Sequence, residues 1–389
     1  MFIPKNKGIF IFGFGLSGRW VSDYLRKNGY LILGFIDSDK KKHGYSYNNI
    51  EVFSIDFLRN NFDYENVIIN TIVDIQDNHT LLRDIANDNY LPFCVLGIDK
   101  KEIQSIENST LEDDEYLEYS INAVNECQTN FLDKNKLHLR SIDIVVTERC
   151  SLKCKDCSNL MQYFINPKNT SIKDIKNNID KLLLKADAIY EFRVIGGEPM
   201  VNREIYEILE LLSTYKEVSR ITIFTNATVP LKEEKLKNIP KKKLNFSITD
   251  YGDLSRLSQN YSITLKKLSI SHRVHPPEYW TDSGTIVEPN KNSEDMKKMF
   301  SECCGKNLFT LIEDRIYRCP FAANLETLLP EARSKENSVK LSSTKTEIKD
   351  YLYDIEYLPA CNFCKGRSYS SPQIVPALQT KKPLPILSD

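Results

Sequence analysis

"IDIVVTERCSLKCKDCSNL", Ile142 to Leu160, is the stretch on which the reading of this chain turns. Its opening, "IDIVVT", is apolar and β-branched at most positions, which is the composition of a strand. The loop that follows sets Cys150, Cys154 and Cys157 inside eight residues. In folds that alternate strands with helices, sites form at the carboxyl ends of the strands, so these thiols fall where chemistry is expected. Working outward, the strand-like runs "EFRVIGG", "RITIFTNAT" and "KLNFSITD" alternate with helical patterns such as "SIKDIKNNIDKLLLKADA" and "NREIYEILELLSTYK". That alternation predicts parallel strands joined by right-handed crossovers, in a full or partial barrel.

The bulk properties limit what the thiols can be doing. The chain has 389 residues, ten cysteines and a formal net charge of −1, with 41% hydrophobic and 27% charged residues. It is too long for one ordinary core, and its balanced charge gives no general argument for nucleic acid or membrane. The start, "MFIPKNKGIFIFGFGLSG", is broken by lysines and glycines where a signal peptide has an apolar run, and no stretch of about 18 apolar residues occurs. A cytoplasmic protein is expected, and in that compartment clustered thiols more often hold metal or do redox chemistry than form disulfides. Three thiolates on a 4Fe-4S cluster would leave one iron open to an outside ligand. Zinc would require a fourth protein ligand and usually takes paired C-x-x-C arms. Incidental thiols are the third possibility.

Two stretches together resemble the radical S-adenosylmethionine (radical SAM) enzymes. The C-x-x-x-C-x-x-C loop is similar to the cluster loop after the first barrel strand of that family. "VIGGEPMVNREIYEIL" resembles its strand-two signature, whose Gly-Gly-Glu-Pro turn, here Gly196, Gly197, Glu198 and Pro199, meets the amino group of the cofactor. Elementary chemistry agrees, since paired glycines allow close backbone approach to a ligand and Glu198 offers an acceptor for an ammonium. "TNA" (Thr225, Asn226, Ala227) ends the third strand where the family has a Thr-Asn pair, and "FSITDYG" ends the fourth. Ser247 and Asp250 are therefore candidates for the cofactor ribose, with simple strand-end capping as the alternative. One departure is Asp156, which stands where the family has an aromatic residue beside adenine. The resemblance runs from Ile142 to Pro289. It implies a 4Fe-4S cluster that binds S-adenosylmethionine at its open iron, takes an electron from a donor such as flavodoxin or ferredoxin, and yields a 5′-deoxyadenosyl radical that removes a substrate hydrogen. The cofactors carry that chemistry, and the protein aligns one C–H bond and excludes water.

Five further cysteines follow, in "SECCGKNLFTLIEDRIYRCPFAAN" (Cys303, Cys304, Cys319) and "PACNFCKGRS" (Cys361, Cys364). Four of them would close a second cluster, and neighbours in sequence cannot easily bind the same one, so Cys303 or Cys304 is spare. The layout resembles the Twitch extension, the smaller relative of SPASM, with "TLIEDRIYRC" as its hairpin and Asp314-Arg315 at the turn. Structural zinc is the alternative. Cys94 and Cys127 read as packed or free thiols. An intact auxiliary cluster favours an electron-acceptor role, and hence oxidation of an alcohol. That reaction needs a base for the hydroxyl proton, and "SISHRVHPPEYW" supplies His272, Arg273, His275 and Tyr279 as candidates.

At the front, Gly13, Gly15 and Gly18 form G-x-G-x-x-G between a strand and a helix, and Asp37 closes the next strand. This is the dinucleotide-binding arrangement, with phosphate on the helix N-terminus and a carboxylate on ribose. The domain is only half the size of a full dinucleotide fold, and it resembles the nucleotide-binding domain of bacterial sugar acyltransferases. A degenerate domain without ligand is the alternative. The expected organisation is therefore α/β: a small Rossmann-like domain at 1–100, a helical connector at 101–138, a partial (β/α)6 barrel at 139–290 and an irregular auxiliary iron–sulfur domain at 291–389. The expected activity is a radical SAM oxidoreductase that dehydrogenates a sugar or nucleotide sugar, a small-molecule substrate. The alternatives are a peptide-modifying maturase, a sugar epimerase, or a non-enzymatic, zinc-stabilised nucleotide-binding protein.

Overall fold

The computed structural model describes residues 3–98, 114–277, 280–368 and 371–386. The chain divides into two compact units, Met1–Arg140 and Ser141–Asp389, where sequence had suggested four segments. Among the described residues no helix is long and apolar enough to cross a membrane.

In the first unit the strands are β1 (Gly8–Phe12), β2 (Leu31–Ile36), β3 (Ser46–Tyr47), β4 (Ile50–Phe53), β5 (Val67–Asn70) and β6 (Tyr90–Pro92), and the helices are α1 (Leu16–Lys27), α2 (Ile55–Asn61), α3 (His79–Ala86) and α4 (Asp114–Leu132). The sheet order is β3-β4-β2-β1-β5-β6, parallel except for the edge strand β3. Strand β1 shows why its sequence is continuously apolar. Ile9 and Ile11 enter one core with Trp20, Val21 and Leu25 of α1, whereas Phe10 and Phe12 enter the other with Leu58, Leu82 and Ala86. A sheet covered on both faces has no solvent side to record as alternation. The acidic segment expected to be a connector is different too. Leu117, Ile121 and Val124 of α4 belong to the same core as Trp20, so this helix is a structural layer of the first unit. After β6 the chain turns as a 3-10 helix over Phe93–Leu96, ended by Gly97 at φ 68°.

The second unit is built on β7 (His138–Thr147), β8 (Ala188–Gly196), β9 (Val218–Thr225), β10 (Leu244–Thr249), β11 (Ser271–His275), β12 (Trp280–Thr281), β13 (Thr310–Ile312), β14 (Arg315–Tyr317), β15 (Ser338–Lys340) and β16 (Gln373–Ile374). Its helices are α5 (Ile172–Leu183), α6 (Ile205–Ser213), α7 (Glu233–Leu236), α8 (Ser258–Lys267), α9 (Ser293–Ser301), α10 (Pro320–Leu328) and α11 (Lys345–Tyr353). Eight strands form one open sheet, β11-β10-β9-β8-β7-β13-β14-β15, and β12 pairs with β16 in a separate ribbon. The sheet does not close, as a partial barrel requires. A parallel partner, β13, joins the far side of β7 and brings the late hairpin onto the same sheet. That hairpin turns at Glu313-Asp314, with Glu313 at φ 54°, because Arg315 is already paired with Ile312. The expected turn at Asp314-Arg315 is thus shifted by one residue.

Side-chain parity divides this sheet. Phe192, Val194, Ile221, Ile223, Phe246 and Ile248 are fully buried, and Phe192 meets Tyr215, just beyond α6, edge-on at 6.3 Å. The opposite parity is polar and is described below.

Packing in the first unit turns on one glycine. A Cβ on Gly18 would lie 1.9 Å from the Gly13 carbonyl oxygen, so β1 and α1 can approach only with hydrogen at that position. Gly18→Ala is expected to destabilise this unit by about 1–3 kcal/mol, visible as an earlier transition in thermal unfolding. An unchanged transition would mean that the strand–helix contact is looser than described.

Candidate active site

The cysteine loop leaves β7 at Thr147 and is held by the turn after β8. Gly197 N–H donates to the Thr147 carbonyl at 3.0 Å, and Glu198 N–H to the Arg149 carbonyl at 2.9 Å. Space is equally decisive. A Cβ on Gly196 (φ 153°) would lie 2.0 Å from Thr147 O, and one on Gly197 would lie 2.3 Å from Arg149 O. The two glycines therefore serve an approach to the loop that carries the cysteines, where the sequence had suggested an approach to ligand.

Glu198 also differs from expectation. Its carboxylate is fully buried and accepts from Thr225 Oγ1 (2.8 Å), Asn226 N (2.8 Å) and Met200 N (3.1 Å). Burial pushes its pKa up to about 7 against those three donors. An ammonium would have to compete for oxygens already used to tie the β8 turn to the end of β9. Pro199 is buried and opens the short 3-10 turn that follows. Asn226 extends the tie, its Nδ2 lying 3.8 Å from Cys150 Sγ.

The thiols of Cys150, Cys154 and Cys157 lie within electrostatic reach of one another. Burial raises all three, Cys154 to about 11. Thiols so placed stay protonated unless a cationic centre draws them into the thiolate form. Tyr251, just past β10, lies within the same electrostatic reach of all three, and its ring meets Trp280 edge-on at 6.1 Å. Sequence reasoning missed this aromatic wall, although "SITDYG" contains Tyr251; nothing in the pattern linked Trp280 to it.

The other parity of the sheet carries two neighbouring groups of polar contacts. Thr310 donates to Asp143, Arg193 lies 3.4 Å from Asp143, Thr222 donates to Glu191, Asn245 to Thr222 and Ser271 to Asn245. Arg220 lies 3.7 Å from Glu191. Two carboxylates thus face two guanidiniums across β7, β8 and β9. The signal was legible in the alternation Glu191-Phe192-Arg193-Val194, which puts charge on one face only. Nearer the carboxyl ends, Ser247 Oγ bonds His275 Nε2 at 3.0 Å, and Arg273 shares the parity of His275 opposite Ser247. His272 has the other parity, and its Nε2 bonds Ser262 of α8 at 2.9 Å, so it faces the helices. Asp250 caps its own loop, accepting from Gly252 N–H and Ser258 Oγ. Tyr279 lies outside the described residues.

The later cysteines form a second group. Cys303, Cys319, Cys361 and Cys364 line one pocket, whose lining does not include Cys304. Three of the sulfurs accept backbone N–H bonds, from Gly305 to Cys303 (3.4 Å), Ala322 to Cys319 (3.4 Å) and Gly366 to Cys364 (3.3 Å). Cys319 also caps the N-terminus of α10, and burial pushes its thiol well above the usual range. Ser158, the residue after Cys157, lines the same cavity, so the two thiol groups are neighbours. Among the described residues no three His, Cys, Asp or Glu side chains converge as a site for a single metal ion.

In the first unit Gly13 (φ 105°) turns away from β1, and Gly15 faces open space at the uncapped start of α1. Asp37 does not offer a free carboxylate to a ribose. Its oxygens accept from Phe14 N–H (2.9 Å), Asp39 N–H (2.9 Å) and Lys42 Nζ (3.0 Å), which fastens the glycine turn itself.

A thiol loop at the carboxyl ends of a largely parallel open sheet places the second unit among α/β proteins whose sites form at the strand ends. Comparison narrows the class: residues 144–300 match the family described as "Radical SAM superfamily", so the chain carries a domain of that superfamily. Curated relatives include GTP 3',8-cyclases of Clostridium acetobutylicum, 33% identical over 120 residues (30% of this chain, 37% of the relative), and of Syntrophomonas wolfei subsp. wolfei, 27% identical over 146 residues (33% and 43%). This chain therefore spans less than half the length of the curated relatives it matches. Solved structures of BtrN in complex with AdoMet and 2-DOIA (14% identity, 59% of this chain and 93% of that one, TM-score 0.39) and of native anSMEcpe with bound AdoMet (14%, 58% and 82%, TM-score 0.35) also align.

Two stability measurements check this geometry. Glu198→Gln must turn an amide NH2 toward existing donors, at a cost of about 1–3 kcal/mol, so the melting temperature should fall. A variant as stable as the parent would show that the tie between β8 and β9 is weak. Asp143, fully buried, is raised to about 6 by burial despite Arg193, whereas in the unfolded chain it titrates near about 4. The folded state holds that proton more tightly, so its contribution to stability is greatest below about pH 4 and is lost as pH rises through about 6. The stability of the parent relative to Asp143→Asn should fall by about 1 kcal/mol between about pH 5 and about pH 7.5. Urea midpoints that keep a constant separation would contradict this.

Proposed function

We propose that this chain is a radical SAM oxidoreductase with one auxiliary cluster, oxidising an alcohol of a sugar or nucleotide-linked sugar. The observation that carries the reading is the adjacency of three thiols to a four-thiol cavity, with Ser158 between them in sequence and lining the second site. The donor sets fit clusters better than zinc. A zinc ion bonded at about 2.3 Å draws its sulfurs together around one point, whereas among the described residues no three such ligands converge in that way, and Cys303, Cys319 and Cys364 receive backbone N–H bonds. Cys150, Cys154 and Cys157 would hold a cluster that, with an electron from a donor such as flavodoxin or ferredoxin, would supply the reductive cleavage of S-adenosylmethionine, and Cys303, Cys319, Cys361 and Cys364 would hold a second that would serve as electron acceptor.

The remaining work falls to side chains. Gly196, Gly197 and Glu198 hold the loop in place, and Asn226 stands beside Cys150. Tyr251 and Trp280 wall the site against water. The polar face behind it balances Asp143 and Glu191 against Arg193 and Arg220, which suits a neutral, hydroxyl-rich substrate better than a charged one. Of the four candidates for the hydroxyl proton, His275, positioned by Ser247, and Arg273 share the polar parity. The sheet order of the first unit and the open space at Gly15 support a Rossmann-like domain that binds a nucleotide. A second reading, cyclisation of a nucleotide by the same radical, is favoured by the names of the curated relatives.

Protein reconstituted without air and reduced in the presence of S-adenosylmethionine is expected to release 5′-deoxyadenosine, and Cys154→Ala should abolish that release. Cleavage persisting in this variant would overturn the assignment. Iron content should be about eight per chain and fall by about half in Cys361→Ala/Cys364→Ala; zinc in place of iron would remove the auxiliary cluster from the reading.

A further inference from the structure

The last residues of the chain return to the cysteine loop. Strand β16 pairs with β12, where Ile374 stands opposite Trp280. The chain then bends through Ala377, a buried residue held at φ 57°, and runs antiparallel to Lys153–Lys155. Lys155 N–H donates to the Leu378 carbonyl at 2.7 Å, and Thr380 N–H to the Lys153 carbonyl at 2.7 Å. Between them Cys154 and Gln379 face each other in an isolated antiparallel bridge. Farther on, Leu384 N–H reaches the Gln162 carbonyl at 2.8 Å.

Within this strap the side chain of Gln379 is fixed at both ends. Its Oε1 accepts from Lys153 N–H at 2.7 Å, while its Nε2 donates to the Ala377 carbonyl at 2.7 Å and to Cys154 Sγ at 3.3 Å. The amide therefore cannot flip without facing Oε1 toward a sulfur and a carbonyl, both acceptors. A primary amide oriented in this way delivers an N–H to a thiol that the proposed function makes an iron ligand.

We propose that Gln379 is a positioning residue for the metal centre on the Cys150–Cys157 loop, raising its reduction potential by hydrogen-bonding Cys154 Sγ. An N–H bond to a ligating sulfur withdraws electron density and stabilises the reduced, more negative state; solvent exposure acts on the same balance. No electron or atom is transferred to Gln379. The inference rests on the radical SAM reading of this loop.

The test is an EPR-monitored redox titration of the complete protein, following the signal that changes when S-adenosylmethionine is added, together with the decay of cluster absorbance in air. Gln379→Leu removes the donor, and Gln379→Glu replaces it with an anion that still accepts from Lys153 N–H. The midpoint potential is expected to shift negative in Gln379→Leu and further in Gln379→Glu, and air decay should be several-fold faster in both. Loss of iron confined to the signal that responds to S-adenosylmethionine, in either variant, also supports the role, since it shows that the amide holds that centre. Unchanged potential and unchanged decay in both variants would overturn it. Parent protein without iron, or without any such signal, would refute the radical SAM reading instead, so the two failures are distinguishable.

Discussion

Backbone contact between two strand ends sets the architecture of the second unit. Where β8 finishes, Gly196 and Gly197 lie so close to Thr147 and Arg149 that neither could carry a Cβ. The same turn donates two N–H groups to the cysteine loop and sends Glu198 inward. Glu198 in turn bonds the end of β9, and Asn226 there reaches Cys150. The position of the first thiol is thus fixed by a relay of backbone and buried carboxylate contacts. Such contacts tolerate little displacement, because a carboxylate stripped of water loses heavily when any donor moves away.

That rigidity is complemented by the face behind it. One parity of the sheet is apolar and meets the helices, and the other carries alternating acid and base side chains in two neighbouring groups. Buried charges survive there because each has an opposite partner within reach. The late hairpin joins the same sheet through β13 and β7, and Ser158 of the cysteine loop reaches the four-thiol cavity. A metal at either place would sense the other through few intervening residues.

Much of the site was legible because its residues are close in sequence. Cys150, Cys154 and Cys157 share one loop and were marked by their spacing, and Gly196 to Pro199 share one turn and were marked by the family resemblance. The buried contacts of Glu198 were not legible, because a motif names a residue without naming its partners. Asp37 is the parallel case: its position matched a ribose acceptor, yet Phe14 N–H and Lys42 occupy its oxygens. His272 and His275 look alike in "SISHRVHPP", and only strand parity separates the one facing α8 from the one beside Ser247.

The sequence by itself determined the alternation of strands and helices, the thiol loop at a strand end, the glycine turns, and a late set of cysteines large enough for a second site, since each depends on local spacing or on the period of apolar residues. Only the tertiary structure decided what lies far apart in the chain. It placed α4 in the core of the first unit, chose Cys303 over Cys304 at the cavity, set Tyr251 against Trp280, and brought Gln379 to Cys154. Contacts across two hundred residues leave no period or spacing to read, because they are fixed by packing of whole elements whose mutual approach no local pattern encodes.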